Sequence, residues 1–184
     1  YNRQKVDFYP NFHDHSSFSK IDLYWKCFIQ TCSVVYRNQP MADFYEKSNH
    51  LSMGDWPLFV FLVQIGDISF LDEPMAVYRL HSGGINSGAA RLKNISIAID
   101  ALEFFRSYQR ISDHPMIKNS LARYYYKTIE ILYEKMDRPA FRRTLFRCLR
   151  YARFLNNRQK YQIVIMFMKI YFPWLFSINH HLLI

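Results

Sequence analysis

The chain has 184 residues, of which half are apolar and 18% aromatic, and it carries a formal net charge of +9. This length predicts one domain or slightly more, and the apolar content excludes an intrinsically disordered chain. Three cysteines are too few, and odd in number, for a disulfide framework, so a reducing compartment is favoured. The first residue is Tyr1 rather than Met, and we interpret the chain as a piece of a longer protein.

The charge is unevenly distributed along the chain. Residues 1–90 hold 7 Lys and Arg against 9 Asp and Glu, whereas residues 91–184 hold 17 against 6. We therefore predict two regions with different roles, 1–90 and 91–184. The positive region favours an anionic partner, which could be lipid headgroups, phosphates or nucleic acid.

Short helices and one strand are predicted early in the chain. Ser19 to Leu23 resembles a capped helical turn after an irregular lead-in. The β-branched and apolar run from Phe28 to Tyr36 predicts a buried strand. Met41 to Ser48 predicts a short helix, and a loop follows.

The next stretch predicts a helix followed by two strands. Trp56 to Gln64 is apolar almost all round, and Pro57 in the first turn places the start of this buried helix at Asp55. Ile68 to Leu71 and Met75 to Tyr78 are strand-like and are separated by a polar turn.

From Arg91 the pattern becomes helical. Four helices are predicted, at about 91–110, 116–136, 138–157 and 159–172. In the third, apolar residues spaced by three or four form one face: Phe141, Leu145, Cys148, Ala152 and Leu155. Its other face carries five arginines: Arg142, Arg143, Arg147, Arg150 and Arg153.

The last segment, Tyr161 to Ile184, is hydrophobic but is interrupted by Lys169 and Pro173. It is too broken to predict a transmembrane helix. Two interpretations stay open: a helix that lies on a membrane surface, or a helix that packs back on the domain.

Asp55 is the first candidate for chemistry. A carboxylate at a helix N-terminus is favoured in its charged form and can accept a proton from a hydroxyl nucleophile. Alternatively, Asp55 only caps its helix. Further along, His81 could ligate a metal, and Arg79 could pair with a phosphate or with a neighbouring acid.

Three motifs carry a resemblance to a known family: TCSVVYR (Thr31 to Arg37), MGDWPLF (Met53 to Phe59) and GDISFLDEPMAVYRLHSGG (Gly66 to Gly84). In this order they resemble the second half of a bacterial family 2 glycosyltransferase with the GT-A fold. The resemblance implies an α/β fold class: a partial GT-A-like helix–strand unit in residues 1–90, followed by an all-α C-terminal helical region in 91–184.

The resemblance also implies roles for individual residues. Asp55 would be the catalytic base, although Gly54 stands where the family has Glu. The acceptor side would include Trp56, Thr31 and Ser33. Arg79 would contact substrate, and His81 would be a metal ligand.

The implied reaction is an inverting transfer of a sugar from a nucleotide-sugar donor to a glycan or lipid-linked acceptor, with Mg or Mn as the divalent cation. The setting would be surface-polysaccharide synthesis, cytoplasmic or peripheral on the inner membrane face, with an anionic membrane surface as a further partner. The family's D-x-D motif is absent, so the donor half was removed or lost, and the chain alone is expected to be inactive. The alternative is a basic helical module that binds nucleic acid, or a non-catalytic interaction module. Nucleic acid is the weaker choice because no recognised binding motif accompanies the arginines.

Overall fold

The structure is a computed structural model that describes residues 19–71, 73, 76–77, 91–107 and 114–177. Eight α-helices are present in these residues: α1 Lys20–Trp25, α2 Ala42–Ser48, α3 Asp55–Leu62, α4 Arg91–Ser107, α5 Pro115–Glu134, α6 Arg138–Leu149, α7 Asn157–Tyr171 and α8 Trp174–Ser177. Two 3-10 helices accompany them, Thr31–Ser33 and Ala152–Phe154. The described residues contain no β-strand, so the α/β prediction is wrong and the described part of the fold is all-α.

The predicted strand from Phe28 to Tyr36 is replaced by an irregular segment around the first 3-10 helix. The Ser33 hydroxyl donates to the Gln30 carbonyl at 2.8 Å, and the Ser33 backbone N–H donates to the same oxygen at 2.9 Å. Val35 is 99% exposed, so its β-branched side chain packs against no neighbouring strand. High strand propensity reflects packing on the surface of a paired sheet. The described residues provide no such surface, so this run does not form a strand.

The other two predicted strands are also wrong wherever they are described. Ile68 to Leu71 has no regular secondary structure, and Leu71 is 67% exposed. Of Met75 to Tyr78, only residues 76–77 are described, and these two form no strand. A partial GT-A-like helix–strand unit is therefore absent from the described residues.

Helix α5 is the centre of the fold. It contacts α1, α4, α6 and α7, and nine of its side chains are buried. Ile117, Leu121 and Ile129 are completely buried. Pro115 begins the helix, where its missing N–H costs no intrahelical hydrogen bond, and His114 Nδ1 accepts from the Met116 N–H at 3.2 Å. Because four other helices pack against it, α5 is the axis of the described part of the fold.

Side chains of α5 hold the end of α1. The last carbonyls of a helix lack intrahelical partners. The Ser120 hydroxyl lies 3.0 Å from the Tyr24 carbonyl oxygen and 3.1 Å from that of Trp25, and Arg123 donates to the Trp25 carbonyl at 2.8 Å. The Arg123 guanidinium also lies 4.0 Å from the centre of the Trp25 ring. These contacts attach the N-terminal helix to the C-terminal half of the chain.

The hydrophobic core contains residues from both predicted regions. Leu23 and Trp56 precede residue 90, whereas Leu102, Ile117 and Phe141 follow it, and all belong to one cluster. The division of the chain at residue 90 into a catalytic part and a helical tail stays a prediction. The helix that begins at Asp55 and the C-terminal helices therefore share a single packed interior.

The helices predicted after residue 90 are present, with one difference. Three begin and end within about three residues of their predicted bounds, but the helix predicted over 138–157 stops at Leu149. Its apolar face is turned inward, with Phe141 and Cys148 at most 1% exposed, and its five arginines are exposed. None of the helices in the described part of the chain is long and apolar enough to cross a bilayer.

Candidate functional site

Helix α3 begins where the sequence predicts. Asp55 is its first residue, Gly54 is the N-cap, and the Leu58 N–H donates to the Gly54 carbonyl at 3.2 Å. Pro57 lies in the first turn, where a backbone N–H would have no intrahelical partner. The alternative in which Asp55 is the N-cap residue is therefore wrong by one position, although its side chain does contact the helix N-terminus.

The Asp55 carboxylate is held by two hydrogen bonds. Its Oδ1 accepts from the Trp56 backbone N–H at 2.8 Å, and its Oδ2 accepts from the Thr31 hydroxyl at 2.8 Å. Thr31 begins the first 3-10 helix, 24 residues earlier in the chain. A carboxylate offers about four acceptor positions, and two are used here. Since Asp55 is only partly buried and Thr31 is exposed, solvent and a ligand can reach the remaining positions.

The Cys27 thiol lies in the field of this carboxylate. Burial, followed by the negative charge of Asp55, raises the pKa of Cys27 to about 12, and the thiol donates weakly to the Ile29 carbonyl at 3.7 Å. A thiol with this pKa is protonated at neutral pH and is not a nucleophile. Cys27 was not among the predicted site residues, and no local sequence pattern connects it with Asp55.

The two other described candidates have structural partners. The Ser33 hydroxyl is exposed but donates to the Gln30 carbonyl, which stabilises the turn that carries Thr31. Trp56 is 1% exposed, its indole N–H donates to the Leu23 carbonyl at 2.7 Å, and its ring meets the Phe105 ring edge-on at 5.4 Å between centres. Trp56 therefore fixes the position of α3 from beneath, and the Asp55 side chain stands at the surface above it.

Arg79 and His81, predicted to contact substrate and metal, lie outside the described residues. Within the described ranges, no group of three or more His, Cys, Asp or Glu side chains is arranged to hold a metal ion. The Mg or Mn site that the resemblance implies stays a prediction, because its implied ligand His81 is not among these residues.

A cleft of about 1090 Å³ lies near the opposite end of α3 from Asp55. Phe61 and Ile65 contribute to its wall from α3 and the turn after it, while α2 and α4 supply most of the rest. Its acidic lining includes Glu103, whose carboxylate already accepts hydrogen bonds from Tyr125, Tyr151 and Arg106. Because Asp55 is not part of its lining, the cleft and the Asp55 carboxylate are separate features.

Comparison with known proteins identifies short similarities to proteins of mycobacteria. An uncharacterized protein of Mycobacterium bovis and two of Mycobacterium tuberculosis are each 48% identical to this chain over 58 residues. That stretch is 32% of this chain and only 16% of each relative's length. No protein-family model matches the chain, and no solved structure matches it.

Proposed function

We propose that this chain is the acceptor-side part of an inverting glycosyltransferase, with Asp55 as the catalytic base. The observation that carries the proposal is the 2.8 Å hydrogen bond from Thr31 to Asp55. The resemblance places both residues on the acceptor side from separate motifs, and the fold brings them into contact across 24 residues. The proposal depends on this local arrangement and on the motifs, and it does not depend on a GT-A fold.

The proposed reaction uses the free acceptor positions of the Asp55 carboxylate. An acceptor hydroxyl donates its proton to Asp55, and its oxygen attacks the anomeric carbon of the donor sugar. The bond from that carbon to the diphosphate breaks on the opposite face, so the nucleoside diphosphate leaves with the electron pair and the configuration inverts. Proton transfer to a positioned carboxylate accelerates such a step by roughly 10²–10⁴.

The hydrogen bonds of Asp55 suit it to this role. The Trp56 N–H and the Thr31 hydroxyl orient the carboxylate, and together they leave some of its acceptor positions free. Orientation of the base before substrate arrives removes an entropic cost from the reaction. The buried Trp56 ring, next to Asp55 in the chain, also anchors the start of α3 that carries the carboxylate.

Other parts of the proposed function depend on residues that the structure does not describe. The nucleotide-sugar donor, a divalent cation and the contacts of Arg79 and His81 follow from the resemblance alone and stay predictions. Surface-polysaccharide synthesis on the cytoplasmic side of the inner membrane stays the proposed setting, with a glycan or lipid-linked acceptor.

The test is transfer activity in the longest natural protein that contains this chain. Release of nucleoside diphosphate is measured with a panel of nucleotide sugars and glycan acceptors, in wild type and in Asp55→Asn. Asp43→Asn is the matched control, because Asp43 is an exposed acid in the first turn of α2 and pairs with Lys47 at 2.8 Å. We expect activity to be lost in Asp55→Asn and retained in Asp43→Asn. Near-normal turnover in Asp55→Asn would exclude Asp55 as the base.

A further inference from the structure

The net charge of the protein is concentrated at the C-terminal end of the chain. Residues 1–137 contain fifteen Lys and Arg and fifteen Asp and Glu, so their formal charges cancel. Residues 138–184 contain nine basic residues and no acidic residue. The nine are Arg138, Arg142, Arg143, Arg147, Arg150, Arg153, Arg158, Lys160 and Lys169. The whole formal charge of +9 therefore belongs to the segment that forms α6, α7 and α8.

The outer face of α6 combines these cations with exposed apolar side chains. Phe146 is 65% exposed and Leu149 is 55% exposed, although both are large hydrophobic residues. Residues three or four apart are neighbours on a helix surface. Phe146 thus has Arg142 and Arg143 one turn before it and Arg150 one turn after it, which places an aromatic ring at the centre of a basic face.

Helix α7 has apolar side chains on two opposite faces. One face packs inward, because Ile163, Met166 and Ile170 are buried. This agrees with the interpretation in which the last segment packs back on the domain. On the other side, Tyr161 is 67% exposed and Val164 is 57% exposed. A helix that only packed on a domain would carry polar residues on its outer face. The outer face of α7 therefore has an apolar character that the fold leaves uncovered.

Helices α6 and α7 run in opposite directions, and each packs on α5. A short turn containing the second 3-10 helix joins the end of α6 to the start of α7. At the other end, the Tyr171 hydroxyl donates to the Arg138 carbonyl at 3.0 Å. Since both helices pack on α5 with their buried faces, their exposed faces point away from it. We call the exposed faces of the two helices together the hairpin surface, defined by Arg142, Arg143, Phe146, Arg147, Leu149, Arg150, Tyr161 and Val164.

We propose that the hairpin surface docks on a lipid bilayer that contains anionic headgroups. The arginines would contact the headgroups, each contributing about a fivefold gain in affinity near such a surface. Phe146, Leu149, Tyr161 and Val164 would enter the boundary between headgroups and acyl chains. Binding of this kind needs no membrane-spanning helix, and it does not depend on the reaction at Asp55.

The exposed aliphatic residues favour a bilayer over nucleic acid. Nucleic-acid surfaces reward cations through phosphate contacts and aromatic rings through base stacking. They offer little to the exposed side chains of Leu149 and Val164, which have no aromatic ring to stack on a base. A bilayer rewards both the charge and the aliphatic area, so it fits the complete set of exposed side chains.

The first experiment is co-sedimentation of the chain with vesicles of phosphatidylcholine and with vesicles that also contain phosphatidylglycerol. We expect binding to the anionic vesicles only. Arg143→Gln with Arg147→Gln is expected to weaken it at least tenfold, and Phe146→Ser with Leu149→Ser to weaken it about tenfold. These positions are exposed, so circular dichroism should report an unchanged fold.

Matched controls separate this surface from general charge and hydrophobicity. Lys20→Gln with Lys26→Gln removes two exposed cations from α1 and its C-terminal cap, and Val35→Ser with Tyr45→Ser removes two exposed apolar side chains elsewhere. Both control pairs are expected to bind anionic vesicles like wild type. Equal loss in the controls and the hairpin variants would overturn the assignment to the hairpin surface.

A second measurement places the surface directly at the bilayer. In Phe146→Trp, tryptophan emission is expected to shift to shorter wavelength with anionic vesicles and to be quenched by brominated lipid chains. Binding of DNA or RNA through the hairpin arginines without binding to vesicles would overturn the proposal in favour of nucleic acid. A concentration-dependent dimer that Phe146→Ser abolishes, without vesicle binding, would overturn it in favour of a second copy of the chain.

Discussion

Asp55 and Glu103 each accept hydroxyl hydrogen bonds from residues more than twenty positions away in the chain, and their surroundings differ. Asp55, at the start of α3, accepts from Thr31 and from one backbone N–H and retains free acceptor positions towards solvent. Glu103, on α4, accepts from the hydroxyls of Tyr125 and Tyr151 at 3.1 Å each and from Arg106 at 2.7 Å. Both tyrosines are at least 95% buried.

This difference separates the proposed catalytic base from a carboxylate with a structural role. Glu103 joins α4 to α5 and to the turn after α6, because its two tyrosine partners lie 22 and 48 residues later in the chain. With these partners and Arg106 in place, little of its acceptor capacity remains for a ligand. Asp55 joins fewer elements and accepts fewer hydrogen bonds, which leaves more acceptor positions for the proton of a substrate hydroxyl.

The largest expected effect is on activity and belongs to Asp55. In the longest natural protein that contains this chain, Asp55→Asn should reduce sugar transfer by roughly 10²–10⁴, because an amide cannot accept the proton. Glu103→Gln should retain activity within a few fold, since it changes a carboxylate that is remote from Asp55. Initial rates with a fixed donor and acceptor measure the activity of both variants. Equal losses in the two variants would remove the distinction between the carboxylates.

The next effect is on stability and belongs to Glu103. Glu103→Ala should lower the free energy of unfolding by about 3 kcal/mol, because two buried tyrosine hydroxyls lose their acceptor. Asp55→Ala should lower it by about 1 kcal/mol, the usual effect of losing a contact at a helix N-terminus. Urea denaturation followed by circular dichroism measures both. Adding Tyr125→Phe and Tyr151→Phe to Glu103→Ala should recover part of the loss, and no recovery would contradict the proposed cause.

The tyrosines of the Glu103 cluster also predict a dependence on pH. Burial, and then the negative charge of Glu103, raises the pKa of Tyr151 to about 12, and the same two causes raise the pKa of Tyr125. The folded state therefore favours the neutral phenols more than the unfolded state does. Their contribution to stability is complete below about pH 10, the ordinary pKa of tyrosine, and is lost as the pH rises towards 12.

Urea denaturation at a series of pH values from neutral to strongly alkaline tests this dependence. Wild type should lose stability above about pH 10, and Tyr151→Phe should show a shallower loss because it has one fewer group to ionise. Tyr45→Phe is a control, since Tyr45 is 51% exposed. A Tyr151→Phe profile parallel to that of wild type would show that Tyr151 is not responsible.

The smallest effect concerns the orientation of Asp55. Thr31→Val replaces the hydroxyl by a methyl group of similar size and removes one of the two hydrogen bonds to the carboxylate. We expect kcat to fall about tenfold with little change in KM, because the base is present but less well placed. Thr31→Ser should restore the rate, since it keeps the hydroxyl. A change confined to KM would instead indicate that Thr31 contacts the acceptor.

Local patterns in the sequence predicted the helical elements well. The spacing of Phe141, Cys148 and Leu155 indicated the buried side of α6 and the turn after it, and all three are buried. The start of α3 at Asp55 followed from its apolar run and Pro57. A helix satisfies its backbone hydrogen bonds within itself, so residues a few positions apart contain most of the information that specifies it.

Strands and long-range contacts were decided by tertiary structure. Phe28 to Tyr36 has the composition of a strand, but a strand needs a partner, and none of the described residues provides one. The hydrogen bond from Thr31 to Asp55 and the tyrosine partners of Glu103 join residues 22 to 48 positions apart. Periodicity carries no information over such separations. The sequence by itself determined which segments are helical and which faces are apolar, whereas packing around α5 determined which carboxylate accepts from buried tyrosines and which does not.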